Sequence, residues 1–326
     1  MTKLVTGDLH LTDNPRDEYR FGFFKSLPKL VKEHDADTLV ILGDLTEEKD
    51  YHGAWLVNRI VDGIAACARE ARVIIVCGNH DYVDAANPFY RFLVHVEGVW
   101  FINTPTRLSR DWYLPHTINW KRDWEGLDMQ GVRYAFAHNT FTGANVGFGR
   151  QLDGIPPDVL GDVPIISGDI HVPQTFANIT YVGAPYRVDF GDDYNPRMLL
   201  IPSKGQPQSI RIKGREKRLV EVDSVAGLDD VKAFAAGDVV KLRIHVRAAD
   251  AANWASLRTK ARDWALGHGL VVHSVEPVME KHDKTKLRAR AKARRQSDSE
   301  LFDGYAADNG LTPATIKTGK RIMEAV

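Results

Sequence analysis

Over the first half of the chain, short β-branched apolar runs alternate with longer stretches in which apolar residues recur at helical spacing. Residues 3–6, 38–42, 73–77, 132–137 and 164–167 each read as a buried strand. Between them, residues 19–33 and 54–70 have the period of helices, with Leu56, Ile60, Ile64 and Ala68 forming the stripe of the second. Such alternation predicts an α/β fold. From residue 175 to 212 the helical period stops and strands dominate. Turns are marked at Gly183-Ala184-Pro185, Gly191-Asp192-Asp193 and Asn195-Pro196.

A composition shift at residues 213–218 reads as a linker. Beyond it, residues 239–246 alternate, with Leu242, Ile244 and Val246 on one face and Lys241, Arg243 and His245 on the other. An amphipathic helix follows, capped by Asp250, with Trp254, Leu257, Ala261 and Trp264 on one side. Gly267 and Gly269 end it, and residues 270–275 return as a strand, so the pattern predicts a small βαβ module. Residues 281–295 then hold eight Lys or Arg against one Asp. Two short helices are expected over 298–309 and 313–326, broken at Asn309-Gly310, the second starting at Thr312-Pro313. This divides the chain into a main domain (1–212), a βαβ domain (213–280) and a basic linker with a helical tail (281–326).

The 326 residues suit one large unit with appendages. Lys+Arg and Asp+Glu both total 43, so net charge identifies no partner, and any nucleic-acid surface has to come from local patterning. No apolar run approaches the ~18 residues of a membrane span, and no leader pattern opens the chain. Cys67 and Cys77 lie in apolar surroundings outside any C-x-x-C pair. Buried free thiols in a reducing cytoplasm, with no membrane association, are the expectation.

Five of the predicted strands run into residues that ligate metals. Asp8 and His10 follow the first at i, i+2, a spacing that puts both side chains on one side of an extended chain. Asp44 follows the second behind Gly43, whose missing side chain lets backbone approach. Gly78-Asn79-His80-Asp81 follows the third, His138 the fourth, and Asp169-x-His171 the fifth. Ligand sites of open α/β sheets form at the carboxyl ends of strands. Each fragment alone is commonplace, Gly-Asp being a frequent turn. In this order, each at a strand end, they make a constellation.

These fragments resemble the calcineurin-like metallophosphoesterase superfamily, whose signature runs D-x-H, G-D, G-N-H-D/E, a lone H, then G-H-x-H. They stand here as Asp8-Leu9-His10, Gly43-Asp44, Gly78-Asn79-His80-Asp81, His138 and Gly168-Asp169-Ile170-His171. The resemblance implies a sandwich of two β-sheets flanked by helices, with two divalent metal ions. Asp8, His10 and His171 would hold one ion, Asn79, His138 and Asp169 the other, with Asp44 bridging. The family's first histidine of G-H-x-H is Asp169 here, a harder and more anionic ligand that favours Mn²⁺, or Mg²⁺, over Zn²⁺. His80 points away from its neighbour Asn79. By the resemblance it stabilises the transition state or protonates the leaving oxygen, oriented by Asp81.

Tyr181-Val182-Gly183-Ala184-Pro185, then Asp189-Phe190-Gly191-Asp192, is similar to the Y-x-G-S-P…F-G-E segment of SbcD-type nucleases. That resemblance implies a metal-dependent DNA nuclease, bacterial or from a bacteriophage. It would be an exonuclease with single-strand endonuclease activity, working in recombination, repair or degradation with an SbcC-like coiled-coil ATPase. The βαβ domain resembles the capping domain of that family, and a homodimer is left open. Residues 298–326 fall below the ~40 that usually bury a core alone, so Phe302, Tyr305, Ile316 and Met323 are expected to dock on the ATPase. His52, just beyond Asp44, is a candidate substrate contact, as are Arg110, Lys121 and Arg122. Those three interleave with Trp112, Trp120 and Trp124, although packed indoles with a solvated rim fit the same pattern. A stand-alone nucleotide phosphodiesterase or phosphatase, and a DNA-end-binding scaffold with a metal site degenerate at Asp169, are the alternatives.

Overall fold

The apolar runs become the parallel centres of two six-stranded sheets. A computed structural model describes residues 1–279 except 148, 149, 191, 193 and 233, and residues 302–323 except 304, 308 and 309. The basic segment 281–295 lies outside the described residues. In chain order the main elements are β1 (Lys3–Gly7), α1 (Glu18–Glu33), β2 (Thr38–Leu42), α2 (Ala54–Ala68), β3 (Arg72–Val76), β4 (Val99–Ile102), β5 (Thr106–Leu108), β6 (Asp111–Leu114), α3 (Trp120–Asp123), β7 (Tyr134–His138), β8 (Ile165–Gly168), β9 (Gln174–Phe176), β10 (Ile179–Tyr181), β11 (Arg197–Ile201) and β12 (Gln208–Arg211). The first sheet has the order β12-β11-β1-β2-β3-β4 and the second β5-β6-β7-β8-β10-β9.

The two sheets face each other across one apolar layer. Val5, Val40, Leu42, Ile74, Val76 and Ile102 meet Tyr113, Tyr134, Phe136 and Ile166 there. The other face of the first sheet takes Leu39, Ile41, Val73 and Ile75 into a second core with α1 and α2, through Phe21, Phe24, Leu27, Val31, Ile60 and Ile64. Strands buried on both faces cannot alternate, which is why they read as continuous apolar runs. Cys67 and Cys77 are free and buried.

Register then sets the position of the polar residues. Gly7 pairs with Leu42, Leu42 with Val76, and in the second sheet His138 pairs with Gly168. All these strands therefore stop in line, and the residues that follow them share one edge of the sandwich.

Beyond the sandwich, β13 (Lys217–Val222), β14 (Val239–Val246) and β15 (Val271–Met279) form a three-stranded sheet in that order. β13 runs parallel to β14 and begins inside the segment read from sequence as linker, where Lys217 is buried rather than solvated. The helix α4 (Trp254–Gly267) buries Ala261 and Ala265 and half-buries Leu257 and Trp264. Asp250 does not cap it. That residue sits in a 3-10 turn over Ala248–Asn253, and its carboxylate accepts from Arg247 Nε at 3.0 Å. By internal contacts the chain forms two units, Met1–Ile244 with Ser256–Glu276, and His245–Ala255 with Pro277–Val326.

In the second unit, α5 (Pro313–Met323) starts with Thr312 Oγ1 accepting from Thr315 N at 3.3 Å. Phe302 packs on Gly319, where a Cβ would fall 2.2 Å from its ring, and Lys320 pairs with Asp303 at 2.7 Å. Phe302 is thus partly spent on α5. Ile316 is half-buried, Tyr305 is exposed, and the side chain of Met323 lies outside the described residues.

The contact of α1 with α2 depends on Gly63, where a Cβ would lie 2.1 Å from Phe24 Cε1. Gly63→Ala gains helix propensity of ~1 kcal/mol but overpacks the contact, at ~1–3 kcal/mol. The thermal midpoint should fall by a few degrees. A rise would show that the two helices stand further apart.

Candidate metal centre

At the sandwich edge the chain turns sharply, and the turns aim the polar side chains inward. Asp8, His10, Asp44 and Asp169 have positive φ values of 53°, 42°, 53° and 83°. Residues other than glycine adopt an αL backbone uncommonly, Asp and His more readily than most, and such strain collects at functional sites. The i, i+2 pair Asp8 and His10 thus does not converge by extended-strand alternation, as its spacing suggested. Two left-handed kinks turn it, tied down by Asp8 N donating to Gly43 O at 3.1 Å and His10 N to Asp44 O at 2.9 Å.

Glycine makes room for the cluster. A Cβ on Gly78 would stand 2.3 Å from Asp44 Oδ1, and one on Gly43 2.5 Å from His138 Nδ1. The loops after β2 and β3 therefore touch backbone to side chain, and Asp81 locks them together. Its buried carboxylate accepts from Asp44 N (3.0 Å), Leu45 N (3.0 Å) and Gly78 N (2.7 Å). Asp81 was expected to orient His80, but its oxygens are committed to these amides. The His80 ring is instead set by Nδ1 donating to Glu47 O at 2.6 Å.

Asp44 stands between two histidines. Its Oδ2 lies 3.6 Å from His10 Nε2, and its Oδ1 3.3 Å from His138 Nε2. His138 Nδ1 donates to Leu42 O at 2.6 Å, which leaves Nε2 as the atom facing Asp44 and Asp169. The Asn79 amide is 2.9 Å from that Nε2. On the other side His10 Nε2 and His171 Nε2 approach to 3.1 Å. Asp8 Oδ1 accepts from Asp169 N at 2.9 Å, while Asp8 Oδ2 is buried with no hydrogen-bond partner among the described residues.

Among the described residues, three groups have ligand atoms within 4.8 Å of one another: Asp8-His10-His171, His10-Asp44-His80 and Asp8-Asp44-His138. Asp169 stands further out, its Oδ1 3.9 Å from His138 Nε2, with Thr140 Oγ1 donating to its other oxygen. Converging lone pairs with an orphaned buried carboxylate oxygen fit a divalent cation better than any uncharged arrangement.

The charges agree with this. Burial pushes the Asp8 carboxyl up to about 6 against the opposing pull of His138. Burial acts on Asp44 in the same direction, but the nearby His138 holds its carboxyl well below the ordinary range. For His138 burial disfavours charge, yet Asp44 and Asp8 raise it well above the usual imidazole value. A proton on His138 therefore occupies electrostatically the place a cation would take.

Two further contributors were not among the sequence candidates. Glu47 Oε2 lies 3.3 Å from His10 Nδ1, and that ring holds the Glu47 carboxyl down to about 2. Nothing in the sequence separates it from Glu48. Arg20 is buried, donates to His10 O and stands 3.6 Å from Glu47. It did carry a sign, since a charge falls in the apolar stripe of Phe24, Leu27 and Val31. The cavity over the centre measures about 650 Å³ and is also lined by Tyr51, Phe190, Lys217 and His273.

The remaining candidates lie elsewhere. His52 is not in this lining; its ring packs on Phe89 at 4.3 Å and Tyr90 at 5.3 Å. Arg122 pairs with its neighbour Asp123 at 2.7 Å, and Lys121 lies over Trp120. Arg110 sits in the β5–β6 turn, at the opposite end of the strands, because β6 runs parallel to β7 and starts far from the centre.

A profile of the calcineurin-like phosphoesterase family matches residues 1–173. Among solved structures, the chain is similar to the Pseudomonas putida nuclease MPE, at 15% identity and a TM-score of 0.35, over 61% of this chain and 84% of that one. No curated protein matches the chain.

Loading the centre requires the His138 proton to leave. Uptake of Mn²⁺ should therefore release protons, and affinity should fall as pH drops toward about 6, where Asp8 also takes up a proton. Titration calorimetry in buffers of different ionisation heat checks this. Proton-neutral binding, with affinity flat in pH, would contradict the arrangement.

Proposed function

Because the chain belongs to the calcineurin-like phosphoesterase family, and so is a metal-dependent phosphoester hydrolase, we propose that its substrate is DNA. The reading is a manganese-dependent nuclease, an exonuclease with single-strand endonuclease activity. The observation that carries the hydrolytic part is Asp44, whose two oxygens face His10 on one side and His138 on the other. Asp8, His10 and His171 would hold one cation, Asn79, His138 and Asp169 a second, with Asp44 shared. When bound, such a pair activates water and neutralises charge building on the phosphoryl group.

The chain's own groups do the rest. His80 Nδ1 is committed to Glu47 O, so Nε2 is the atom able to carry a proton to the leaving oxygen. Arg20 holds the His10 backbone oxygen, and Glu47 stands beside the ring at Nδ1. Tyr51, 93% exposed, and the half-buried Phe190 flank the cavity as flat surfaces on which bases can stack. Support for a nucleic-acid substrate comes from these rings and from the resemblance of residues 181–192 to SbcD-type nucleases. The anionic Asp169 favours Mn²⁺ or Mg²⁺.

A coiled-coil ATPase of the SbcC type is the proposed partner, docking on the tail where Tyr305 is 60% exposed. Among the described residues no helix is long and apolar enough to cross a membrane. A cytoplasmic setting belongs to the same proposal.

Activity on linear DNA should disappear with chelator and return best with Mn²⁺. His80→Ala should keep its metal content yet lose roughly 10²–10⁴ in rate. Full hydrolysis in excess chelator would end the metal reading. Turnover of small nucleotide esters with DNA left intact would end the nuclease reading while keeping the hydrolase, and a metal-free His80→Ala would make His80 a ligand.

A further inference from the structure

The sandwich has a second cavity at the end opposite the metal centre, where β1, β2 and β3 begin at Lys3, Thr38 and Arg72. It measures about 560 Å³, and its charge is the reverse of the first. Lys3, Arg72, Arg107, Arg110 and Arg133 line it, against the single carboxylate of Asp111. A formal net charge of zero for the whole chain thus conceals an acidic end and a basic end.

Three of these cations have structural work. Lys3 pairs with Asp111 at 2.9 Å. Arg107 holds Asp128 and Gln130 O, and Arg133 holds Pro202 O and Ser203 O. Two are left over. Arg110 spends only Nε, on Gly131 O at 3.1 Å, which orients its guanidinium and leaves both terminal nitrogens without a partner among the described residues. The Arg72 guanidinium has no hydrogen-bond partner among the described residues, and its Cζ stands 4.2 Å from the centroid of the Trp100 ring. Trp100 is itself 39% exposed. At the floor, Asp111 is only 5% exposed, yet its Oδ1 has no hydrogen-bond partner among the described residues.

Each leftover asks for a different group. Two unspent guanidinium edges match a phosphate. An indole partly open beside a cation offers a flat surface to an aromatic ring. A buried carboxylate oxygen lacking a donor calls for a hydroxyl or amino group. We propose that this cavity binds a nucleotide, with its phosphate on Arg72 and Arg110, its base against Trp100, and a hydroxyl or exocyclic amine donating to Asp111. The site is separate from hydrolysis, and its existence does not depend on the nuclease reading.

The test uses the full-length protein, stripped of metal with chelator that is then dialysed away. It is titrated calorimetrically with dAMP and, separately, with inorganic phosphate. dAMP should bind, and phosphate alone should bind at least about tenfold more weakly. Arg72→Ala, Arg110→Ala and Trp100→Ala, each checked for folding by circular dichroism, should each weaken dAMP by about tenfold or more. Asp44→Ala should bind as the parent does. A short single-stranded oligonucleotide that displaces dAMP would identify the natural ligand as a nucleotide within a strand, and failure to displace would identify a free one. The proposal is overturned if millimolar dAMP gives no binding, if binding survives both arginine changes, or if Asp44→Ala abolishes it. Equal affinity for phosphate and dAMP would remove the base from the proposal.

Discussion

The carboxylates of Asp8, Asp44 and Asp81 are buried together, and the rest of the centre is arranged around tolerating them. Like charges in one buried place repel, and removal from water adds to the cost. Asp81 is compensated by three backbone amides, although burial still pushes its carboxyl up to about 6. Asp44 is compensated by imidazoles and by His80 N at 2.9 Å. Asp8 has one amide, and its other oxygen has no hydrogen-bond partner among the described residues. The deficit is one of positive charge, and it is largest where His10, His171 and His138 converge. A fold that accepts this cost without a compensating cation would have little reason to keep three carboxylates there.

The two-sheet architecture makes that concentration possible. Parallel strands from both sheets end in register, so their following residues come from widely separated stretches of chain yet share one edge. Helix α1 adds Arg20 from outside the sheets. Its guanidinium reaches a backbone oxygen of the same segment that supplies a ligand candidate, and it lies among Tyr19 and Tyr186 as well. Close backbone approach at Gly43 and Gly78 then decides how tightly the loops can pack.

Much of this was readable from the sequence because two strong physical signals coincide. Strands buried on both faces are continuous apolar runs, and residues 38–42 were bounded to the residue. Metal-capable side chains directly after such runs marked the edge where they gather. What was not readable depends on features without a linear signature. The left-handed turns at Asp8 and His10 carry no glycine to announce them. Asp81 looked like a partner for the adjacent ring, but its oxygens face amides brought near only by tertiary packing. Arg110 looked like a substrate contact because basic residues and indoles interleave in its stretch. Strand direction places it at the far end instead. The strand over Lys217–Val222 was hidden by its charged start, where Lys217 is buried by donating to Val188 O at 2.6 Å.

In the proposed centre the Asp44 carboxylate would be shared between two cations. Crystals grown with Mn²⁺ and measured at the manganese absorption edge test it directly. Two anomalous peaks about 3.5–4 Å apart, one on each side of Asp44, are the predicted result. A single peak, or two peaks neither of which touches Asp44, would contradict it.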